Sequence, residues 1–380
     1  MNSPPRRRSL LVTGGAGFIG ANFVHHWRRE HPADTVVVLD ALTYAGNRMS
    51  LAPLEGAPQF VFVHGDIIDR PLVESLLRDH EIDTVVHFAA ESHVDRSILG
   101  PDAFIETNVV GTHSLLKACR QVWLQEGRAK DHRFHHVSTD EVYGSLGPDD
   151  PAFHESTPYA PNSPYSASKA ASDHLVRAYC HTYGLAVTTT NCSNNYGPYH
   201  FPEKLIPLVI VNILEGRPLP VYGDGRNIRD WLLVTDHCRA IDHVLHHGRC
   251  GETYNVGGRA ERKNIELVRG LCAIADDIFS RNPALSAAFP RCPAARGEPA
   301  ASLITFVADR PGHDLRYAID SRKIERELGF MPRVSHEEGL KLTFQWYLDN
   351  EPWWRAVMDG SYRKWIAEQY SERNPAVRNP

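Results

Sequence analysis

Leu10-Leu11-Val12-Thr13-Gly14-Gly15-Ala16-Gly17-Phe18-Ile19-Gly20 decides the fold. Residues of buried-strand character run into glycines and then into a helical pattern lasting to about Glu30. The glycines satisfy both G-x-G-x-x-G (15, 17, 20) and G-x-x-G-x-x-G (14, 17, 20). Glycine lets the backbone approach a pyrophosphate, which the N-terminus of the following helix then stabilises. Thr35-Val36-Val37-Val38-Leu39 reads as a second strand ending at Asp40, 20 residues after the last glycine. An acid at that distance suits the hydroxyls of an adenosine ribose, and no arginine directly follows it, so NAD is favoured over NADP.

Outward from there the alternation repeats. A third strand (60–63) closes at Gly65-Asp66-Ile67, and residues 70–79 are helical. A fourth (84–88) closes at Ala89-Ala90-Glu91-Ser92, where small residues let a cofactor lie over the strand end. A long helix fits 101–126 with Pro101 at its start. Strand five is 133–138, a helix fits 163–183, and strand six is 185–190. Repeated βα units predict an α/β fold, a doubly wound parallel (Rossmann) sheet with ligands beyond the carboxyl ends of its strands. The glycines, Asp40, Ala89-Ala90, Thr139-Asp140-Glu141 and Asn191 all fall at such ends.

Strand five leads into Ser138-Thr139-Asp140-Glu141-Val142-Tyr143-Gly144. Two adjacent carboxyls there suit a solvated loop or, in a crevice, a general acid and a general base. Tyr165-Ser166-Ala167-Ser168-Lys169 follows. Its Tyr and Lys share one helix face, and an ammonium so placed lowers a phenol's pKa and makes it a usable base.

Past residue 190 the pattern turns irregular and predicts a smaller α/β lobe. The loop 223–231 carries two arginines. It reads equally as a hairpin turn with solvated charges or as a diphosphate clamp, since arginine forks two oxygens. Helices fit 234–247 and 263–279, with a strand at 254–256 between them. Residues 281–302, rich in Ala, Pro and Arg without periodicity, predict a surface insertion of low order. Helices near 321–328 and 336–350 close the pattern, and Trp346, Trp353, Trp354 and Trp365 read as packing. The expected division is an NAD-binding domain of 9–193 plus 230–258, a second domain of 194–229 plus 259–372, and tails at 1–8 and 373–380.

Bulk properties narrow the function. With 42% hydrophobic and 23% charged residues over 380 positions, the composition is that of an ordinary globular protein. A net charge of −5 gives no reason to expect nucleic acid, and no apolar run is long enough to span a membrane. Seven cysteines without Cys-x-x-Cys spacing predict reduced thiols in the cytoplasm. The 21 histidines read as packing and surface residues rather than a metal site.

TGGAGFIG (13–20) and YSASK (165–169) together resemble the extended short-chain dehydrogenase/reductases. DALTYAGN (40–47), AAESHVDRSI (89–98), STDEVYG (138–144), NCSNNYGPYHFPEKLIP (191–207), GDGRNIRDW (223–231) and DRPGHDLRYAID (309–320) are similar to the nucleotide-sugar 4,6-dehydratases within them. The likeness runs over roughly 9–350, with Ala41 where that family often has lysine and Leu232 where it often has tyrosine.

The resemblance implies a lyase that takes dTDP-glucose to dTDP-4-keto-6-deoxyglucose and water by oxidation at C4, loss of water across C5 and C6, and return of hydride to C6. NAD would stay tightly bound. Tyr165 would be the redox base, supported by Lys169. Thr139 would hold the C4 hydroxyl, Asp140 would give a proton and Glu141 would take one. Gly14, Gly17, Phe18, Ile19, Gly20, Asp40, Ala41, Leu42 and Thr43 would line the NAD site, with Asp66, Ile67, Phe88, Ala89, Ala90, Ser92, Thr107, Tyr165, Lys169 and Asn195. The sugar nucleotide would meet Ser92, Thr139, Asn194, Lys204, Leu205, Pro220, Tyr222, Arg229, Asn264, Asp309, Arg310 and His313. A homodimer paired through 101–126 and 163–183 is also implied. Three other readings stand beside this one: a 4,6-dehydratase of a UDP-, CDP- or GDP-sugar, a UDP-sugar 4-epimerase, and a catalytically silent NAD-binding regulator. An epimerase has no need of the acid pair at 140–141, and a silent regulator has no need of Tyr165 and Lys169.

Overall fold

A computed structural model describes residues 7–309 and 313–358. Its strands are β1 (Ser9–Thr13), β2 (Thr35–Asp40), β3 (Phe60–His64), β4 (Thr84–His87), β5 (Arg133–Thr139) and β6 (Val187–Cys192). The others are β7 (Asn194–Tyr196), β8 (Leu219–Tyr222), β9 (Ile228–Leu233), β10 (Thr253–Val256), β11 (Glu261–Lys263) and β12 (Ile304–Val307). Seven of them form one sheet in the order β10-β6-β5-β4-β1-β2-β3, every pairing parallel. The order reverses between β1 and β4, which leaves a crevice beyond their carboxyl ends.

Both faces of this sheet are covered, so its strands read as continuous apolar runs rather than alternating ones. Leu11, Val37, Leu39 and Val85 face one way, against helix Arg70–Asp79 and the helical run 102–125. Leu10, Val12, Val36, Val38 and Val86 face the other, against helices Phe18–Glu30 and Val234–His247. The same period-two alternation splits the 135–136 histidine pair. His135 lies against Thr188 and Thr190, whereas His136 meets Asp173 at 3.0 Å.

The second lobe centres on helix Leu205–Glu215, of which every residue from Ile206 to Glu215 is buried. Helices Asn264–Arg281 and His336–Asp349 enclose it. Two small sheets, β11-β9-β7 and β12-β8, connect this lobe to the cleft. The expected division differs from the packing in two places. Strand β9 straddles the boundary at 229/230, and Ile324 and Phe330 pack with Tyr254 and Val256 of the main sheet's edge strand.

Two expectations are corrected here. Residues 281–302 are ordered: a short helix Leu285–Ala288 and two 3-10 turns bring Phe289, Cys292 and Ala300 fully into the lobe's core. Three apolar anchors hold the segment, too few to make a period. The loop 223–231 is not a hairpin, because β8 pairs with β12 while β9 pairs with β7 and β11. Trp346, Trp353 and Trp354 pack together as expected, whereas Trp365, the 373–380 tail and most of the 1–8 tail lie outside the described residues.

Candidate active site

A cleft of about 440 Å³ runs along the carboxyl edge of the main sheet and under the second lobe. Gly14, Gly17, Phe18, Ile19 and Gly20 line it after β1. Asp40, Ala41 and Thr43 line it after β2, and Asp66 and Ile67 after β3. Phe88, Ala89, Ala90 and Ser92 follow β4, and Thr107 comes from the helical run 102–125.

Gly14 adopts φ +69, and a Cβ there would sit 2.6 Å from the Ala89 backbone nitrogen. A Cβ on Gly20 would sit 2.2 Å from the Gly14 carbonyl oxygen. These glycines therefore close β1 onto β4 and the helix onto its own turn. Helix Phe18–Glu30 begins with no side-chain cap, so its first N–H groups point at the cleft unshielded. Asp40 accepts from Ala16 N and Leu42 N, both at 2.8 Å, which fixes its carboxylate at the cleft wall. Leu42, expected to line the cofactor site, does so only through that backbone contact and is not part of the wall.

The chemistry lies one strand further along. β5 delivers Thr139, whose Oγ1 accepts from Glu141 N at 3.3 Å and starts the 3-10 turn Asp140–Tyr143. Helix Pro164–Tyr183 begins with a reciprocal Ser163–Ser166 capping box and Pro164 in its first turn. That start places Tyr165 and Lys169 on the cleft side. Lys169 Nζ donates to Val137 O at 2.9 Å, tying this helix to β5 two residues before Thr139. Thr139, Asp140, Glu141, Tyr165 and Lys169 thus line one wall together.

Asp140 is 2% exposed, and burial, then the charges of Glu141 and Asp230, push its carboxyl well above the usual range. Burial thus favours its protonated form. Tyr165 corrects an expectation. Burial, and after it the Glu141 charge, raises its phenol well above the ordinary value, although Thr139 hydrogen-bonds it. Lys169 is itself buried, and burial lowers its pKa against the pull of Asp173. In the protein alone, then, removing the phenol from water sets the direction of its shift.

From the second lobe, Asn194, Asn195, Lys204 and Leu205 face the cleft, as do Pro220, Tyr222, Arg229, Asn264 and His313. Lys204 Nζ donates to Ser92 O at 3.0 Å, across the two lobes. Arg229 lies 4.4 Å over the Tyr317 ring and donates to Asp314 O at 2.9 Å. Arg226, the other arginine of that loop, pairs with Asp224 in solvent, so a two-arginine clamp is not formed. Asp309 stands behind the wall, 2.6 Å from His313 Nδ1, and Arg310 lies outside the described residues.

Sequence reasoning missed Tyr44, Glu91, Cys192, His200, Glu203 and Tyr317, all of which line the cleft. All six sit inside motifs quoted above, beside the residues given roles there. Cys192 ends β6, and burial pushes its thiol up to about 12, so it is a packing group.

The family model described as GDP-mannose 4,6-dehydratase matches residues 11–343. A curated dTDP-glucose 4,6-dehydratase of Xanthomonas campestris is 60% identical over 355 residues, covering 93% of this chain and 97% of that one. The chain belongs to the dTDP-glucose 4,6-dehydratase family. A family member from Escherichia coli K12 is 53% identical over 374 residues, 96% of this chain and 99% of its own. The family's DesIV structure from Streptomyces venezuelae, a double mutant with NAD and DAU bound, superposes with a TM-score of 0.80 at 50% identity. It covers 92% of this chain and 99% of that one.

The residues present fit a dinucleotide and a sugar nucleotide. Glycines and an uncapped helix start face one end of the cleft. At the other end Asp140 Oδ2, Asn194 Oδ1, Asn264 Oδ1 and Trp231 Nε1 are buried with no hydrogen-bond partner among the described residues. Such atoms are costly unless a ligand satisfies them. Of the two departures from the family pattern, Ala41 lines the cleft and Leu232 is fully buried away from it.

Proposed function

We propose that this protein is an NAD-dependent hydro-lyase that converts dTDP-glucose to dTDP-4-keto-6-deoxyglucose and water. The observation that carries the reading is one wall holding a phenol, an ammonium and two adjacent carboxyls, of which the buried Asp140 has its pKa raised.

Bound NAD supplies the hydride acceptor for sugar C4 and the hydride donor for C6. Gly14, Gly17, Gly20 and Asp40 hold its pyrophosphate and adenosine ribose, and Lys169 its nicotinamide ribose. The protein's own residues move the protons. Thr139 and Tyr165 engage the C4 hydroxyl, and Tyr165 takes its proton. The C4 ketone then acidifies C5–H, and Glu141 removes that proton. Asp140, whose protonated form burial favours, gives its proton to the departing C6 hydroxyl. Elimination needs one proton taken and another supplied in a single pocket, and burial separates the two carboxyls into those roles. Arg229, Lys204 and Asn264 hold the diphosphate and base.

Incubation with dTDP-, UDP-, CDP- and GDP-glucose, followed by alkali, tests this. Keto-sugar absorbance is expected with dTDP-glucose in large excess over the others. A 4-epimerised sugar and no keto product would favour an epimerase.

Two further readings accompany this one. The protein is cytoplasmic, as its cysteines, all free among the described residues, suit a reducing compartment. It pairs with a second copy through 102–125 and 164–183, helices that pack side by side and leave Ile105, Val110 and Tyr183 more than 40% exposed. Light scattering is expected to return twice the chain mass, and a monomer mass rejects the pairing.

A further inference from the structure

On the opposite edge of the main sheet from the cleft, four side chains from two helices converge. His26 belongs to helix Phe18–Glu30 and His31 caps its C-terminus. Asp242 and His246 lie one turn apart on helix Val234–His247. Both helices follow strands of the cleft, so their C-terminal ends lie at the far edge. The aligned peptide dipoles there favour positive charge.

Asp242 is the hub. His26 Nε2 lies 2.8 Å from its Oδ2, His31 Nε2 3.1 Å from both oxygens, and His246 Nδ1 2.9 Å from Oδ1. Arg29 lies 3.3 Å from His26 Nδ1 and can only donate, which makes His26 Nε2 the protonated nitrogen and a donor to Asp242. His26 is therefore an orienting group. That leaves one donor atom each from His31, Asp242 and His246 within 4.8 Å of one another. Zinc bonds nitrogen and carboxylate oxygen at about 2.0–2.2 Å, which sets neighbouring tetrahedral ligands about 3.3 Å apart. The two nitrogen–oxygen separations, 2.9 and 3.1 Å, need a few tenths of an ångström of adjustment, and the two nitrogens lie within 4.8 Å of each other.

We propose that His31, Asp242 and His246 form a binding site for zinc or a similar divalent transition cation, with water as its fourth ligand. The cation takes the place of the hydrogens that His31 Nε2 and His246 Nδ1 direct at Asp242, and each ring keeps a proton on its other nitrogen. A carboxylate held by a neighbouring histidine beside two imidazoles is the donor set such a cation prefers. The nearest opposing charges are Arg8, which donates to Leu245 O at 3.4 Å, and Arg29. Glu30 takes up much of the latter at 2.7 Å. The site crosslinks the helices that cover one face of the sheet, so its effect is on stability rather than turnover.

The test uses untagged, NAD-loaded protein stripped by a chelator and dialysed against zinc chloride at neutral pH. A single bound equivalent per chain is expected, with a rise of several degrees in thermal midpoint at saturation. The double variant His31→Gln/His246→Gln is expected to lose both the equivalent and the rise, while keeping dTDP-glucose turnover. His247→Gln, on the same helix outside the cluster, is expected to bind as the wild type does. Absence of stoichiometric zinc in the wild type, or its retention in the double variant, overturns the proposal. If the double variant melts early without metal, comparing midpoints with and without zinc inside each variant still reads the site.

Discussion

Lys169 Nζ donates to the Val137 carbonyl oxygen at 2.9 Å, and with the His136 and Ser138 bonds to Asp173 it couples the helix carrying Tyr165 to the strand that leads into Asp140 and Glu141. Replacing Lys169 with Met keeps the bulk but leaves a buried carbonyl unsatisfied, at a cost of about 1–3 kcal/mol. It also removes the ammonium from the cleft that the phenol lines. Expected are a lower urea midpoint, NAD lost on gel filtration, and turnover down at least about 100-fold. Full NAD retention in the variant would contradict the assignment of Lys169 to the cofactor.

The raised phenol of Tyr165 bears on when the base becomes active. The cleft alone opposes tyrosinate, so in the proposed mechanism the pull comes from the positive nicotinamide and the substrate. Tyr165→Phe is expected to give no 340 nm absorbance in a single turnover with substrate, with folding intact. A normal burst of reduced cofactor in that variant removes Tyr165 from the first step.

In the proposed mechanism Asp140 and Glu141 divide the elimination between them. Asp140→Asn and Glu141→Gln are each expected to leave C4 oxidation in place and slow water loss by about 10²–10⁴-fold. Reduced cofactor should accumulate in both, seen by stopped-flow absorbance. Hydrogen exchange at C5 in deuterated water should vanish with Glu141→Gln and persist with Asp140→Asn; the reverse pattern would exchange the two roles.

Stability should follow the same carboxyl. Asp140 binds its proton more tightly folded than unfolded, since burial raises its pKa above the model-peptide value of 3.8. As pH rises above that value, the unfolded chain releases this proton while the folded one keeps it. The contribution of Asp140 therefore becomes more unfavourable to folding as pH rises. Asp140→Asn should raise the thermal midpoint at pH 7–8, and the gain should shrink towards pH 4. A gain independent of pH would mean that the carboxyl is not held protonated.

Glu215 ends the central helix of the second lobe and is buried, with its carboxylate 2.6 Å from Arg291, 2.8 Å from Arg355 and 3.3 Å from Arg217. Arg291 comes from the 281–302 segment and Arg355 from the last described helix. The arginines are partly solvated, so the network is worth less than a fully buried one. Glu215→Gln is expected to cost about 1–2 kcal/mol in chemical denaturation and to expose 281–302 to protease first. Unchanged cleavage there would show that Phe289, Cys292 and Ala300 hold the segment by themselves.

The legible parts of this fold share a cause. Leu10–Val12, Val36–Leu39 and Val85–Val86 are buried on both faces, so their apolar runs stand out without any partner being known. Gly20 is dictated by backbone approach within one turn, and Gly14 by its positive φ as well as by the Ala89 backbone. What stayed hidden depends on residues distant in the chain. Arg226 and Arg229 look alike in sequence, and only the pairing of β9 turns one to solvent and the other to Tyr317. The direction of the Tyr165 shift depends on how much wall surrounds it, which no i, i+4 spacing reports. His31 and Asp242 are 211 positions apart and meet only because two helices cover the same face.

The helix Leu205–Glu215, enclosed on every side, also limits how the cleft can shut. Lys204 and Leu205 stand at its leading end, and a rod gripped around its full girth cannot slide or unwind to bring them nearer a sugar. Any tightening over the ligand must swing the whole lobe, carrying Asn264 along with it, so the proposed contacts to diphosphate and base would engage in one motion.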